Sequence, residues 1–353
     1  MEAVINPYSG VNWNSALQIP SISHAHSRVW QNNEQPKADL QKYIERAYNA
    51  GIRHAAWSNY YPSEPFYPLT DWFETIPTGM IGSPNAEHHT FTDPMLGAMH
   101  INSLGSTFRS GNAHGVSPVG INMSWKLAFP KMLKQLQYSD AGGITINHPQ
   151  WSSLPLSSML SMLKSDPRVL GIEVSNSWYF VEGGELVPEI WDQILSTGQR
   201  CWGFFVPDHG IEYGPKFTGF NILLVDSLDE HKCLKAYRDG AFYGRLFDSA
   251  LAFDEVSYDG ETLSVSAPLA DYIQIVVNGQ YTQFTGGSAS MSIPPNAVYC
   301  RAEAWMDYTW TNNSGAEKQV TEKIFSNPIM FVESKYDTAS VWSGADNVQR
   351  ILS

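Results

Sequence analysis

The stretch IPSISHAHSRVW, from Ile19 to Trp30, joins an apolar run to two histidines one residue apart. Such a run reads as a strand, and side chains two apart on a strand point to one face. His24 and His26 can therefore aim two imidazoles at one point, which is what a shared cation requires.

Working outward, six more strand-like runs follow: GIRHAAWS, TGMIGS, LGAMHI, GGITIN, VLGIEVS and CWGFFV. Helical patterns lie between several of them. Leu40, Ile44, Ala47 and Tyr48 keep a three-to-four spacing that Gly51 ends. WKLAFPKMLKQLQ, LPLSSMLSMLKS and PEIWDQILSTG read the same way, and a helix is expected from about Leu228 to Arg238, closed by Gly240. Strands alternating with helices imply parallel βα units, hence an open α/β sheet or a barrel. No glycine-rich phosphate loop opens any helix, so a nucleotide fold lacks its main feature. After Phe253 the texture changes to short alternating runs with Gly, Asn and Pro between them, and Asn278-Gly279 signals a hairpin. Residues 254–333 read as a small immunoglobulin-like β-sandwich after a first unit of residues 1–253, and residues 334–353 as a polar tail.

Composition narrows the partners. The chain has 353 residues and a net charge of -13, which argues against a nucleic-acid duplex as partner. The three cysteines, Cys201, Cys233 and Cys300, show no paired spacing, which fits a reducing compartment. No basic segment followed by an apolar one opens the chain, and no apolar window approaches the ~18 residues of a membrane span. The expectation is a cytoplasmic protein with a small-molecule substrate and no membrane partner. The 12 tryptophans suit core packing, or a surface on which sugars stack.

Candidate ligands recur near the ends of most of these strands. His24 and His26 follow the first, Glu87 the third, His100 the fourth and His148 the fifth; Asp208 and His209 follow the seventh. In βα barrels that rim is where active sites form. Imidazole and carboxylate donors suit Zn²⁺, Mn²⁺ or Fe²⁺, and the lack of a cysteine set argues against a structural zinc site. His88 and His89 adjoin Glu87 and offer a substitute ligand. His54 sits at the wrong end of its strand, and His231 reads as a solvated helix residue. Arg109, Tyr60 and Asn176 are candidate substrate contacts, Arg109 through a bidentate phosphate contact.

On these motifs the chain resembles the PHP (polymerase and histidinol phosphatase) domain of metal-dependent phosphoesterases, over roughly Ile19 to Leu246. The resemblance rests on the H-x-H at His24–His26, Glu87, MHINSLG around His100, AGGITINHP around His148, GIEVSN and STGQRCWGFFVPDHG. It continues in KAYRDGAFYG and in a following β-domain that a two-domain subset carries. It implies a distorted (β/α)7 barrel with a C-terminal β-sandwich, with His24, His26, Glu87, His100, His148, Asp208 and His209 as metal ligands. It also implies hydrolysis of a small phosphoester by metal-activated water. Three departures stand out. Ser58-Asn59-Tyr60 replaces the family's Thr-Asp-His, Asp208 and His209 are adjacent rather than one apart, and the aspartate often found after H-x-H is missing. They point to two divalent metals (Zn, Mn or Fe) rather than three. Two other functions stay open: ligand or carbohydrate binding without turnover, and hydrolysis of a C–O or C–N bond on the same metals.

Overall fold

The apolar runs do form strands, but many pair in directions that a barrel of βα units does not allow. The structure, a computed structural model, describes residues 2–27, 37–59, 63–90, 99–110, 124–177 and 185–338. In chain order its first half holds β1 (Leu17–Ile22), α1 (Lys37–Asn49), β2 (His54–Ala55), β3 (Ile81–Gly82), β4 (Glu87–Thr90), β5 (Met99–Leu104), α2 (Trp125–Lys134), β6 (Gly143–Ile146), α3 (Leu156–Ser165) and β7 (Val169–Asn176). Next come β8 (Glu185–Leu186), α4 (Pro188–Ser196), β9 (Trp202–Val206), α5 (Gly210–Tyr213), β10 (Phe220–Val225), α6 (Glu230–Asp239) and β11 (Phe242–Arg245). The remainder is all strand: β12 (Glu255–Tyr258), β13 (Thr262–Ser266), β14 (Tyr272–Val277), β15 (Gln280–Thr285), β16 (Ser288–Ser292), β17 (Tyr299–Thr311), β18 (Glu317–Ser326) and β19 (Ile329–Met330).

The expected helix-rich (β/α)7 barrel is not what forms. Strands hold 36% of the described residues and helices 20%, and the strands make large mixed sheets. Among the described residues one sheet runs β15-β14-β17-β18-β11-β10-β1-β2-β3, with β19 on β17; a second runs β4-β5-β6-β7-β8, with β9 on β7; a third is the small β12-β13-β16. The ladders β1/β2, β2/β3, β6/β7 and β7/β9 are parallel, whereas β1/β10, β4/β5 and β5/β6 are antiparallel. The physical reason lies in the connections. Between β2 and β3 the chain carries Pro65, Pro68 and Pro77, and its only helical piece among the described residues is the 3₁₀ turn Leu69–Asp71. Proline lacks the N–H that a helix interior needs. β3 and β4 are separated by only four residues, too few for a crossover helix.

The two sheets meet along seams held by side chains as well as backbone. Asn221 on β10 accepts from Phe205 N and donates to Phe205 O on β9, at 3.0 Å each. Ala25, beyond β1, makes a parallel bridge to Asp208, beyond β9. Close approach within the second sheet depends on Gly171: a Cβ there would lie 1.9 Å from the Trp202 carbonyl oxygen. Helices α2, α3 and α4 cover that sheet, burying Phe129, Met132, Met162, Leu163, Trp191 and Ile194 against Ile146, Ile172 and Val174. α6 is capped as its sequence suggests, by the Asp229 carboxylate on Lys232 N and by Gly240 in the left-handed region at φ 77°.

The C-terminal strands form two layers around one core. β12-β13-β16 supplies Val256, Leu263, Val265 and Ala289, and the opposing layer supplies Ile273, Ile275, Ala302, Ala304 and Ile324. The opposing layer continues through β11 and β10 into the first unit, so the sheet does not stop at the expected boundary. Tyr8 is buried in this second core and Ile5 bridges to Met330, so the N-terminal segment packs there too. Of the expected tail, Ser334 and Asp337 dock on the first unit through Arg200 N and Lys164 O; residues 339–353 lie outside the described ones. A buried ion pair ties the units together. Arg301 on β17 donates bidentately to Asp192 on α4, at 2.8 Å for both bonds, while Tyr299 and Tyr281 donate to the same carboxylate. No helix among the described residues is long and apolar enough to cross a membrane.

Candidate metal centre

The two histidines of the opening stretch lie just past β1, where the chain is zipped to the loop after β9. Asp208 N donates to His24 O at 3.0 Å, and His26 N to Asp208 O at 3.2 Å. Ser58 brackets Ala25 between them: its hydroxyl accepts from Ala25 N and donates to Ala25 O. Asn59 accepts from Ser27 N at 2.9 Å and donates to Ser27 Oγ at 3.0 Å. Ser58 and Asn59 thus shape the H-x-H loop through hydrogen bonds. Tyr60 lies outside the described residues.

This frame brings four donor atoms together. His24 Nε2 lies 3.1 Å from His26 Nε2, 3.2 Å from Asp208 Oδ1 and 3.5 Å from Glu87 Oε2. His26 Nε2 lies 3.0 Å from Asp208 Oδ1 and 3.2 Å from Glu87 Oε2. A tetrahedral cation with ligands at ~2.0–2.1 Å has ligand-to-ligand edges of about 3.3–3.4 Å. The five distances lie near that value, with His24, His26 and Glu87 forming one potential ligand group and His26, Asp208 and His209 another. Asp208 Oδ1, fully buried, has no hydrogen-bond partner of sound geometry and faces the same point. The donor set therefore fits a divalent cation.

Glu87 continues into a second cluster. Its Oε1 lies 2.9 Å from His100 Nδ1 and 3.3 Å from His148 Nε2, and accepts from Asn147 Nδ2 at 3.1 Å. One carboxylate thus faces both groups. His100 reaches the site in a way that strand-end reasoning does not foresee. It is the second residue of β5, not at its C-terminal end, and it arrives at the rim because β5 runs antiparallel to β6. Glu87 likewise opens strand β4. His209 is stacked on His26, with ring centroids 4.1 Å apart, and its Nδ1 lies 2.8 Å from Glu212 Oε2. His26, Asp208 and His209 make a further potential ligand group, but it shares two members with the first cage.

The electrostatics match. Burial alone would raise Glu87 and Asp208, but the neighbouring imidazoles, His24 foremost, hold both carboxyls well below the usual range. Burial alone would lower His24 and His26. Asp208, Glu173 and Glu87 override it at His24, and Asp208 and Glu87 push His26 up to about 9. Without a cation, protons on these imidazoles balance the carboxylates. Two of the residues also adopt left-handed backbone, His148 at φ 24° and Asp208 at φ 49°. A non-glycine residue persists there only when its surroundings hold it; His148 N is held by Glu173 Oε2 at 2.8 Å.

Several supporting roles escape sequence reasoning, although Glu173 and Asn176 stand at the end of the sixth strand-like run. Glu173 Oε1 lies 2.6 Å from His24 Nδ1, and its Oε2 also accepts from Asn176 Nδ2 at 2.8 Å. This fixes Nδ1 of His24 as the protonated nitrogen and turns Nε2 toward the cage, the usual outer-shell role of a carboxylate. The available signal was that Glu173 is the lone charge in the strand VLGIEVS. Glu212 plays the same part for His209, and its signal was the H-x-x-E spacing. Asn176, expected as a substrate contact, donates to Glu173 and to Asp208 Oδ2 at 3.0 Å. Arg109 pairs with Glu64 at 2.7 Å on the surface, its side chain 63% exposed. His54 is tied between Ser21 and Ser83, and burial pushes it down to about 3. His231 pairs with Asp140 at the surface. No protein-family model matches the chain, and no curated protein matches it.

Proposed function

We propose that the protein is a metal-dependent hydrolase of a small phosphoester. The observation that supports this most is the convergence of Glu87 and Asp208 on the paired His24 and His26 nitrogens, with Glu87 shared by a second cluster. The resemblance of the histidine motifs to those of PHP phosphoesterases supports the phosphoester class. Divalent cations in such a pair of sites supply Lewis acidity toward phosphoryl oxygens and acidify water. The chain's own contribution is orientation. Glu87 fixes the spacing of the two clusters. Glu173 and Glu212 hold His24 and His209 in one tautomer, and Asn176 keeps Asp208 turned inward. A second reading, binding of a ring-bearing ligand without turnover, draws on Trp151. This indole is 52% exposed and borders His148 and His100, with centroids 4.9 and 5.2 Å apart.

The test is a panel of activated phosphoester, lactone and amide, assayed with added Mn²⁺ or Zn²⁺. Turnover of the phosphoester that disappears in His24→Ala/His26→Ala is the expected result. Turnover confined to the lactone or amide would overturn the phosphoester assignment. Metal binding without turnover of any member would favour the binding reading.

A further inference from the structure

His89 stands outside the seven ligands expected from sequence, yet the register of β4 delivers it to the site. β4 pairs antiparallel with β5, placing Glu87 opposite Asn102 and His89 opposite His100. Residues two apart on a strand share a face, and cross-strand partners sit side by side. His89 therefore faces the same side as Glu87, and its ring stacks on His100 with centroids 3.7 Å apart and planes at 15°. It is 6% exposed. Ligand atoms of Glu87, His89 and His100 lie within 4.8 Å of one another. Its neighbour His88 is turned to the other face, where its ring nitrogens meet Ser110 and Ser103 at 2.9 Å.

We propose that His89, once its ring turns out of the stack on His100, is a ligand of the second cation, joining His100, His148 and Glu87 in a site of three imidazoles and one carboxylate. The proposal rests on the metal-dependent reading above and deepens it. The first cage has two imidazoles and two carboxylates, so the two sites are chemically unequal. Imidazole-rich sets suit zinc, whereas added carboxylates accommodate manganese and magnesium. The second site is thus the zinc-preferring one, and the first accepts manganese.

The experiment loads the full chain, its His89→Ala and His89→Gln variants and His24→Ala/His26→Ala with Zn²⁺, Mn²⁺ or both, then counts bound metal by elemental analysis. Visible spectra of the Co²⁺-substituted proteins report coordination. His89→Gln keeps most of the side-chain volume and guards against a folding failure in His89→Ala. Expected for both His89 variants is the loss of one zinc equivalent, with manganese retained at the first cage and one set of cobalt bands weakened. The drop in zinc affinity should exceed the ~10–100-fold that losing an outer-shell partner costs. Two retained equivalents with unchanged zinc affinity and cobalt spectrum would overturn the proposal. If, in that case, the double variant still loses metal, only the role of His89 falls. A wild-type chain that binds no metal overturns both readings.

Discussion

Replacing Glu173 by glutamine tests whether the cage depends on a pre-oriented imidazole. Glu173 Oε1 holds His24 Nδ1 at 2.6 Å, and Oε2 accepts from His148 N and Asn176 Nδ2, both at 2.8 Å. Glutamine offers one oxygen and one NH₂ group. If its oxygen faces His24, the NH₂ group meets two donors. If it faces the other way, His24 Nδ1 loses its acceptor and the ring is free to turn. Either way a charge-assisted hydrogen bond to a buried group is lost, worth ~1.5–3 kcal/mol. Losing an outer-shell carboxylate typically weakens metal binding ~10–100-fold. That converts to about 1.4–2.7 kcal/mol, in line with the hydrogen bond removed. The assay is competition for Zn²⁺ or Mn²⁺ against a chromophoric chelator at fixed pH, with thermal unfolding of the metal-free protein as a control for folding. A folded Glu173→Gln variant with unchanged metal affinity would refute the reasoning, because His24 would then not be an oriented ligand.

Metal affinity should rise with pH, by up to about tenfold per unit for each proton expelled, with the His26 contribution ending above about 9, where that ring gives up its proton. Proton release in weakly buffered metal titrations checks this. Conversely, His24 and His26 are raised above the ~6.5 of a free imidazole, so their stabilisation of the metal-free chain is complete below that value. The His26 part is lost as pH rises through about 9, and metal-free melting temperatures should fall over that window. Asp192→Ala leaves the Arg301 guanidinium buried without its bidentate partner and should cost ~3–5 kcal/mol in denaturant unfolding. Gly171→Ala would drive a Cβ against the Trp202 carbonyl, and should cost about 3 kcal/mol or more and weaken metal binding, since β7 and β9 lead to Glu173 and Asp208.

Local apolar pattern marked the strands and the long helices, because burial of one face writes itself into the sequence. LQIPSI, GITI and WGFFV are strands, and the spacing of Leu40, Ile44 and Ala47 is that of a buried helix face. Direction and partner are set by contacts far apart in sequence, so nothing in LQIPSI says that it pairs antiparallel with Phe220–Val225. Alternating strands and helices suggested parallel crossovers, but the proline-bearing segment before Ile81 and the short link to Glu87 make none. β4 was illegible for a different reason. EHHT has no apolar alternation, yet all four residues are buried. Glu87 and His89 are buried because they face the cluster, and His88 because it pairs with serines, so the pattern rule fails where function is densest. Donor residue types could be read from the chain, Glu173 at the end of the sixth strand included, whereas the supporting roles of Glu173 and Glu212 became visible only when the fold set them behind His24 and His209.

Anomalous diffraction from crystals of the protein grown with Mn²⁺ or Zn²⁺ tests the central claim most directly. A peak is expected within ~2.0–2.2 Å of His24 Nε2, His26 Nε2, Glu87 Oε2 and Asp208 Oδ1. No peak there at saturating metal, with the two imidazoles hydrogen-bonded to the carboxylates instead, would contradict it.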